Sequence, residues 1–384
     1  MSEWKKVTLD QMGIISRGRS KHRPRNDARL FGGSYPFIQT GDIGSAGLYV
    51  TEYSQTYNEE GLAQSKLWEK DTLCITIAAN IADTALLAFP ACFPDSIMGF
   101  TPHKNIANVK FVKYCFDVLQ KDCQQISQGT AQDNLSWKKL STILFPCPPI
   151  EIQNKIVTIL SRYDSLIENY QKQIKLLEES AQRLYKEWFV DLHFPGHENT
   201  KIVDGVPEGW EKKKVGDLIS KVLRTKQVSA NNYLNSGCIP VIDQSRNYIA
   251  GYTNDIESLV EVNIPYIVFG DHTRVLKYVP FSFAKGADGT QLIMSNDLER
   301  MPQSLFYNSL IEIDLSNYSY ARHFKYLKEE SIIVPSKDIA QRYDKVVSQF
   351  CQSIQKSRDQ MRHLTEARDR LLPKLMSGEI NVNR

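Results

Sequence analysis

Apolar side chains recur at heptad spacing in two long segments. In residues 152–190 they stand at Ile156, Leu160, Tyr163, Ile167, Tyr170, Ile174, Leu177, Ala181, Leu184 and Trp188, in alternating steps of four and three, with no Gly or Pro between them. That period predicts a long helix with one narrow apolar stripe, as in a coiled coil. The pattern returns at Tyr343, Val347, Phe350, Ile354, Ser357, Met361, Leu364, Arg368, Leu371 and Leu375. There Ser357 and Arg368 weaken the stripe, and Pro373 is expected to kink or end the helix. Burying each stripe residue contributes roughly 1.5–3 kcal/mol, so both helices need a partner. The simplest is the other helix, antiparallel across a pseudo-two-fold axis. A helix of about 40 residues spans roughly 60 Å, enough to separate two globular modules. The alternative is two amphipathic helices that each pack only on their own module.

Other segments read as strands and turns. Leu73 to Phe93 is the most apolar stretch, but Asn80, Asp83 and Pro90 interrupt it. A buried strand–turn–strand therefore fits better than a membrane span. The chain is also written twice. EWKKVTLDQM near the start answers GWEKKKVGDLI near the middle, and at an offset of 206 Leu9 meets Val215 and Met12 meets Leu218. FPACF answers VPFSF, and ILFPCPP answers IIVPSKD. At an offset of 187, Leu177 meets Leu364, Arg183 meets Arg370 and Leu184 meets Leu371. Trp4 to Pro146 is 142 positions and Trp210 to Pro335 is 125, so the frame repeats while the contents differ. The expected fold is mixed α/β: a first module over 1–149, a long helix over 150–190, a Gly- and Pro-rich linker over 191–209, a second module over 210–336 and a second long helix over 337–384.

Composition narrows the class. With 384 residues, 42% hydrophobic and 24% charged, the chain suits two or three globular domains. The opening MSEWKKVTLDQ lacks the apolar run of a secretory leader, and the seven cysteines form no C-x-x-C. Buried free thiols in a reducing cytoplasm are expected. Net charge is only +3, yet residues 1–35 hold eight Lys/Arg against three acids, a local +5. Much of it lies in SRGRSKHRPRNDAR, Ser16 to Arg29. Such a patch suits a polyanion better than total charge suggests.

No nucleotide, hydrolase or zinc motif stands in the sequence. Pro94-Asp95 lacks the E-x-K that a nuclease would place after it, and Pro148-Pro149 lacks the flanks of a base-methylating site. What remains suits a binder of nucleic acid. Lys and Arg on phosphates give affinity and register, while Arg, Asn and Gln read base edges through paired hydrogen bonds. The candidates in the first module are Arg17, Arg19, Lys21, Arg23 and Arg25, then Gln39 and Thr40, then Gln128, Thr130, Gln132 and Asn134. Those in the second are Arg224 and Lys226, then Asp271, His272, Thr273 and Arg274, then Tyr320, Arg322 and His323. IQTGD also reads as a strand end with Gly41 and Asp42 in a turn. A catalytic chain with a hidden site, or a helical scaffold without nucleic acid, are the competing readings.

The repeated frame, FPCPPIEIQNKIV, YKEWFVD before FPGHE and DGVPEGW, GDHTR, YARHFKYLKE and LLPKLMSGEI together resemble the specificity subunit of Type I restriction–modification systems. The resemblance covers both halves. It implies a non-catalytic, cytoplasmic DNA-binding chain with two target recognition domains, each reading half of a split target. It implies helices that fix the gap and dock modification (methyltransferase) subunits, with restriction subunits joining the complex. S-adenosylmethionine, ATP and Mg would then sit on partner subunits, and no cofactor, metal or membrane on this chain. GDHTR has no close counterpart in the first module, where ANIADT (Ala79 to Thr84) takes its place.

Overall fold

The computed structural model describes residues 4–78, 81–127, 137–222, 225–318 and 322–382, the side chains of 121–127, 137 and 138 excepted. The chain forms two compact units: Met1–Tyr170 with Gln360–Arg384, and Gln171–Asp359.

In unit 1 the opening strand Lys6–Val7 pairs antiparallel with Phe145–Pro146, near the end of the module. A five-stranded sheet runs in the order Gly13–Arg17, Ile97–Pro102, Leu73–Thr76, Thr84–Leu87, Tyr49–Val50. A second sheet runs Gln55–Tyr57, Phe31–Phe37, Ala91–Cys92, Leu67–Trp68. The apolar stretch from Leu73 thus forms strands, and Leu73–Thr76 and Thr84–Leu87 are buried at every position. Helix α1 (Val109–Ser127) brings Phe111 and Phe116 into the core beside Ile75, Phe100 and Phe145.

Unit 2 repeats the frame. Glu211–Lys214 pairs antiparallel with Ser331–Val334. Tyr266–Gly270 pairs antiparallel with Leu276–Val279 on one side and Thr290–Ile293 on the other. Leu73–Thr76 stands in the same way between Thr84–Leu87 and Ile97–Pro102. Gly13–Arg17 pairs with Ile97–Pro102, and at an offset of 206 from Gly13 the single residue Ile219 bridges to Ser295. Helix α2 (Ile150–Tyr185) opens in unit 1 and closes in unit 2; a π-helical turn, Lys186–Val190, follows it. Helix α3 (Gln303–Ile311) packs Leu305, Phe306 and Leu310 into the unit 2 core, and α4 (His323–Glu329) adds Leu327. Helix α5 (Lys337–Met376) opens in unit 2 and closes in unit 1.

Within each unit the two long helices pair antiparallel. In unit 1 Arg368 Nη1 donates to Asp164 Oδ1 at 2.8 Å, and Ile156 and Leu160 share a core with Leu372 and Leu375. In unit 2 Arg358 Nη2 donates to Glu178 Oε1 at 2.8 Å, and the Tyr343 hydroxyl donates to the Ala181 carbonyl at 3.2 Å. Among the stripe residues, Ile156, Leu160, Val347, Ile354 and Leu375 are buried. Tyr163, Ile167, Tyr170, Ile174, Leu177, Leu184, Trp188, Phe350, Met361, Leu364 and Leu371 are half-buried, and none is exposed. The stripe ends join the module cores, and the Asp164–Arg368 and Glu178–Arg358 pairs link the two helices within each unit. Arg368 does not weaken the stripe, because Asp164 opposite supplies its counter-charge. Pro373 corrects the expectation that it would end the helix. It lies inside α5, which runs on to Met376. The proline costs a hydrogen bond near the terminus only, and buried Leu372, Leu375 and Met376 hold the last turn.

Each unit is closed by the tail of a long helix. Phe194, after α2, packs at a tilt against Trp210 with ring centroids 4.5 Å apart. Gly378, after α5, lies so close to Trp4 that an added Cβ would stand 3.1 Å from its ring. The segment expected as a linker therefore carries an anchor, Phe194, and a short hairpin of Ile202–Val203 with Val206–Pro207. Among the described residues no helix is long and apolar enough to cross a membrane, and no cluster of three metal-ligating side chains occurs. Cys74, Cys92, Cys115, Cys147, Cys238 and Cys351 are free thiols; Cys238 is exposed, unlike the buried thiols expected.

Candidate nucleic-acid interface

The basic loop of unit 1 leaves strand Gly13–Arg17 and is fastened along its backbone. Gly18 N–H donates to the Ile97 carbonyl at 2.8 Å and Arg19 N–H to that of Phe93 at 3.1 Å. Lys21 and His22 N–H both donate to Gln64 Oε1, at 2.6 and 3.1 Å, and Ser65 Oγ donates to the Arg19 carbonyl at 2.7 Å. A Cβ at Gly18 would collide with the Pro94 carbonyl oxygen, so only glycine permits this approach.

The charges on this loop divide into two groups. Arg25 Nη2 binds Asp95 Oδ1 at 2.6 Å, with Arg23 Nη2 3.8 Å from the same carboxylate. Arg23 Nη1 also donates to the carbonyls of Ser20 and His22, at 2.7 and 2.8 Å. Arg29 and His22 converge on Asp27 at 2.8 Å each, and the Arg29 hydrogen bonds hold that carboxyl well below the usual range. Arg17, Arg19 and Lys21 are exposed and meet no carboxylate among the described residues. Two of the five predicted cations thus shape the loop and three remain for an anion. Asp95, which looked like part of a nuclease motif, is the anchor of Arg23 and Arg25.

Gln39 and Thr40 sit where strand Phe31–Phe37 gives way to a short helix, Thr40–Ser45. Asp42 Oδ2 accepts from Gln39 N–H at 2.8 Å, and Gln39 Nε2 donates to Gln55 Oε1 at 2.7 Å. IQTGD is therefore a helix start rather than a turn. Gln128, Thr130, Gln132 and Asn134 lie outside the described residues, as do Arg224 and Tyr320.

In unit 2 the residues predicted as readers take unlike parts. Lys226 Nζ lies 2.8 Å from Asp255 and 3.0 Å from Glu257, which push its pKa up to about 12. Its charge is matched at the surface by two acids of the same chain. Asp271 is buried; its carboxylate accepts from Phe324 N–H at 2.8 Å and its carbonyl from His323 N–H at 2.9 Å, so it fastens the start of α4. Thr273 Oγ1 donates to the Gln244 carbonyl at 2.6 Å. Arg274 adopts φ +61° in the tight turn and donates to the Leu315 carbonyl at 3.1 Å. His323 is buried, and its Nδ1 has no partner among the described residues. His272 and Arg322 are exposed.

Comparison with known proteins points to one family. Residues 1–179 match the family model described as Type I restriction modification DNA specificity domain. The MjaIX Type I restriction enzyme specificity subunit of Methanocaldococcus jannaschii is 25% identical over 413 aligned positions, covering 99% of this chain and 94% of its own length. The EcoR124I/EcoR124II specificity subunit of Escherichia coli is 28% identical over 202, covering 50% of this chain and 48% of its own. The crystal structure of a Type-I restriction-modification system S subunit from M. genitalium superposes with TM-score 0.60 at 17% identity, covering 97% of this chain and 96% of that one, and so shares its fold. Residues 1–179 thus match the specificity domain of Type I systems, and the whole chain is similar to Type I specificity subunits. That family is the specificity, not the catalytic, component of its enzymes.

One repeat escaped the sequence reading. PFIQ at Pro36 and PVID at Pro240 both end strands that pair in parallel, Phe37 with Cys92 and Val241 with Ala284. The loop leaving the second of them holds Asp243, Gln244 and Arg246. The signal was the matched proline-led strand end before a polar run. Lys277, buried beneath that loop, was also missed, since an alternating LKYV strand gives no hint that its lysine points inward.

Proposed function

We propose that this chain is a specificity subunit that reads a split duplex DNA target, one part with each unit. In this reading the long helices set the gap and offer the docking surface for methyltransferase subunits, through which restriction subunits join. The chain itself works without S-adenosylmethionine, ATP or Mg, which belong to the partner subunits, and it acts in the cytoplasm. The observation that supports this most directly is one frame built twice with unlike loops. Strand order and the opening and closing strand pairs recur, while the exposed polar groups at the strand ends differ. Duplicated scaffolds with divergent edges suit two base sequences read by one chain.

The test is to insert one heptad into α2 after Tyr170 and one into α5 after Asp359, and to map methylated motifs by long-read sequencing of a host carrying the full system. A heptad adds roughly 10 Å of helix, or up to about three base pairs at about 3.4 Å each. The expected result is the same base identities with a longer gap. An assembled, active complex with the original gap would refute the spacing role.

A further inference from the structure

Three loops of unit 2 leave different strands yet are tied together by one side chain. Asp243–Asn247 follows strand Ile239–Ile242, Asp271–Val275 is the turn after Tyr266–Gly270, and Ala287–Gly289 precedes Thr290–Ile293. Gln244 Nε2 donates to the Asp288 carbonyl at 2.9 Å, and Gln244 Oε1 accepts from His272 N–H at 3.1 Å. Thr273 Oγ1 donates to the Gln244 carbonyl, and Asp271 N–H to the Gly289 carbonyl at 2.7 Å. Gly289 has φ +72°, and a Cβ there would stand 2.7 Å from the His272 ring and 2.8 Å from the Gln244 amide. From below, buried Lys277 Nζ donates to the carbonyls of Asp243 at 2.8 Å and Asn247 at 2.5 Å, the two ends of the first loop. Each end of the Gln244 amide is held by one of these bonds, so the protein itself sets the orientation of that side chain. Arg246, between the two clamped carbonyls, and His272 are exposed with no ion pair or side-chain hydrogen bond among the described residues.

We propose that Gln244 is the positioning residue of a composite DNA-reading surface in unit 2, on which His272 and Arg246 are the side chains that meet the duplex. The inference rests on the reading of this chain as a DNA-binding specificity subunit. Fixing the loops before binding spares ordering entropy at the moment of contact, and it sets the geometry that base discrimination needs.

The test uses the full chain assembled with its methyltransferase subunits, and duplexes carrying the mapped target or single base changes in either part. Gln244→Ala is expected to reduce discrimination in one part of the target about tenfold or more, leaving the other part and the salt slope as they were. Thr273→Val should weaken the same part. His272→Ala and Arg246→Ala, at exposed positions that leave folding intact, should weaken binding through that part too. Silent His272→Ala and Arg246→Ala variants, or equal loss in both parts with Gln244→Ala, would overturn the proposal while the parent still reads its target. A parent complex that prefers no duplex sequence would overturn the specificity reading and this inference together.

Discussion

Unit 1 and unit 2 share strand order and differ in how they present charge. Unit 1 carries Arg17, Arg19 and Lys21 on one loop whose backbone is fixed by Gln64, Phe93 and Ile97. Unit 2 spends Lys226 on two acids and Asp271 on a helix start, and builds its edge from neutral bridges around Gln244. Unpaired cations act over several ångströms and tolerate any sequence; fixed hydrogen-bonding edges act at contact and select among sequences. The shared scaffold supports both solutions because their residues lie at strand ends, where side chains change without disturbing the sheets.

The largest difference between the units is expected in their helix pairs. Asp164 is buried, accepts from Arg368 at 2.8 Å and takes a further hydrogen bond from the Tyr114 hydroxyl. Burial opposes the Arg368 charge, yet the bonds to Asp164 and Asp369 outweigh it and hold the guanidinium above its ordinary range. Glu178 is 41% exposed, so water screens its pair with Arg358, which also stacks 3.9 Å from the Tyr248 ring. Removing one partner of a buried pair strands the other. Arg368→Met should therefore destabilise unit 1 by about 3–5 kcal/mol, and Arg358→Met should cost unit 2 about 1–2 kcal/mol. Hydrogen exchange resolved by segment in the full chain would measure both. Equal costs would erase this asymmetry.

A second comparison concerns binding to phosphate. Every phosphate that goes without its protein cation lowers the log–log salt slope by about 0.9. Replacing Arg17, Arg19 and Lys21 by Ala together should therefore flatten the slope of duplex binding by up to about 2.7. Lys226→Ala should leave the slope as it was, because Asp255 and Glu257 already neutralise that ammonium. Fluorescence anisotropy across a salt series checks both. A change with Lys226→Ala matching that of the loop would mean that unit 2 also binds by charge.

Much of this was legible in the sequence. Heptad spacing placed both long helices, and the repeated Trp4 and Trp210 frames marked the duplication. Periodicity could not show that Arg368 is satisfied, since its partner Asp164 lies 204 positions away. Nor could local composition divide the basic loop into structural and free charges, because Asp95 and Gln64 reach it from turns distant in sequence. Asp271 and Lys226 looked like readers by residue type; the backbone amide and the two acids that occupy them come from elsewhere in the fold.

A last comparison concerns Lys277, which has no counterpart among the exposed cations of unit 1. Burial pulls its pKa down to about 8, with the Asp243 carboxylate acting the other way. Below pH 8 the amine is charged in both folded and unfolded chains, and the fold bears the full cost of burying it. Between pH 8 and the ordinary value of 10.5 the folded chain gives up the proton first, so the unfolded chain binds more protons and stability rises with pH. The limiting slope is about 1.4 kcal/mol per pH unit. Comparing denaturant unfolding of the parent with Lys277→Met cancels the tyrosines common to both. The difference should move in the parent's favour as pH rises from 8 towards 10. The neutral amine still donates to the Asp243 and Asn247 carbonyls, so the clamp on the loop survives the loss of its charge. A difference that ignores pH would mean the ammonium is solvated, and that unit 2 presents it to solvent much as unit 1 presents Lys21.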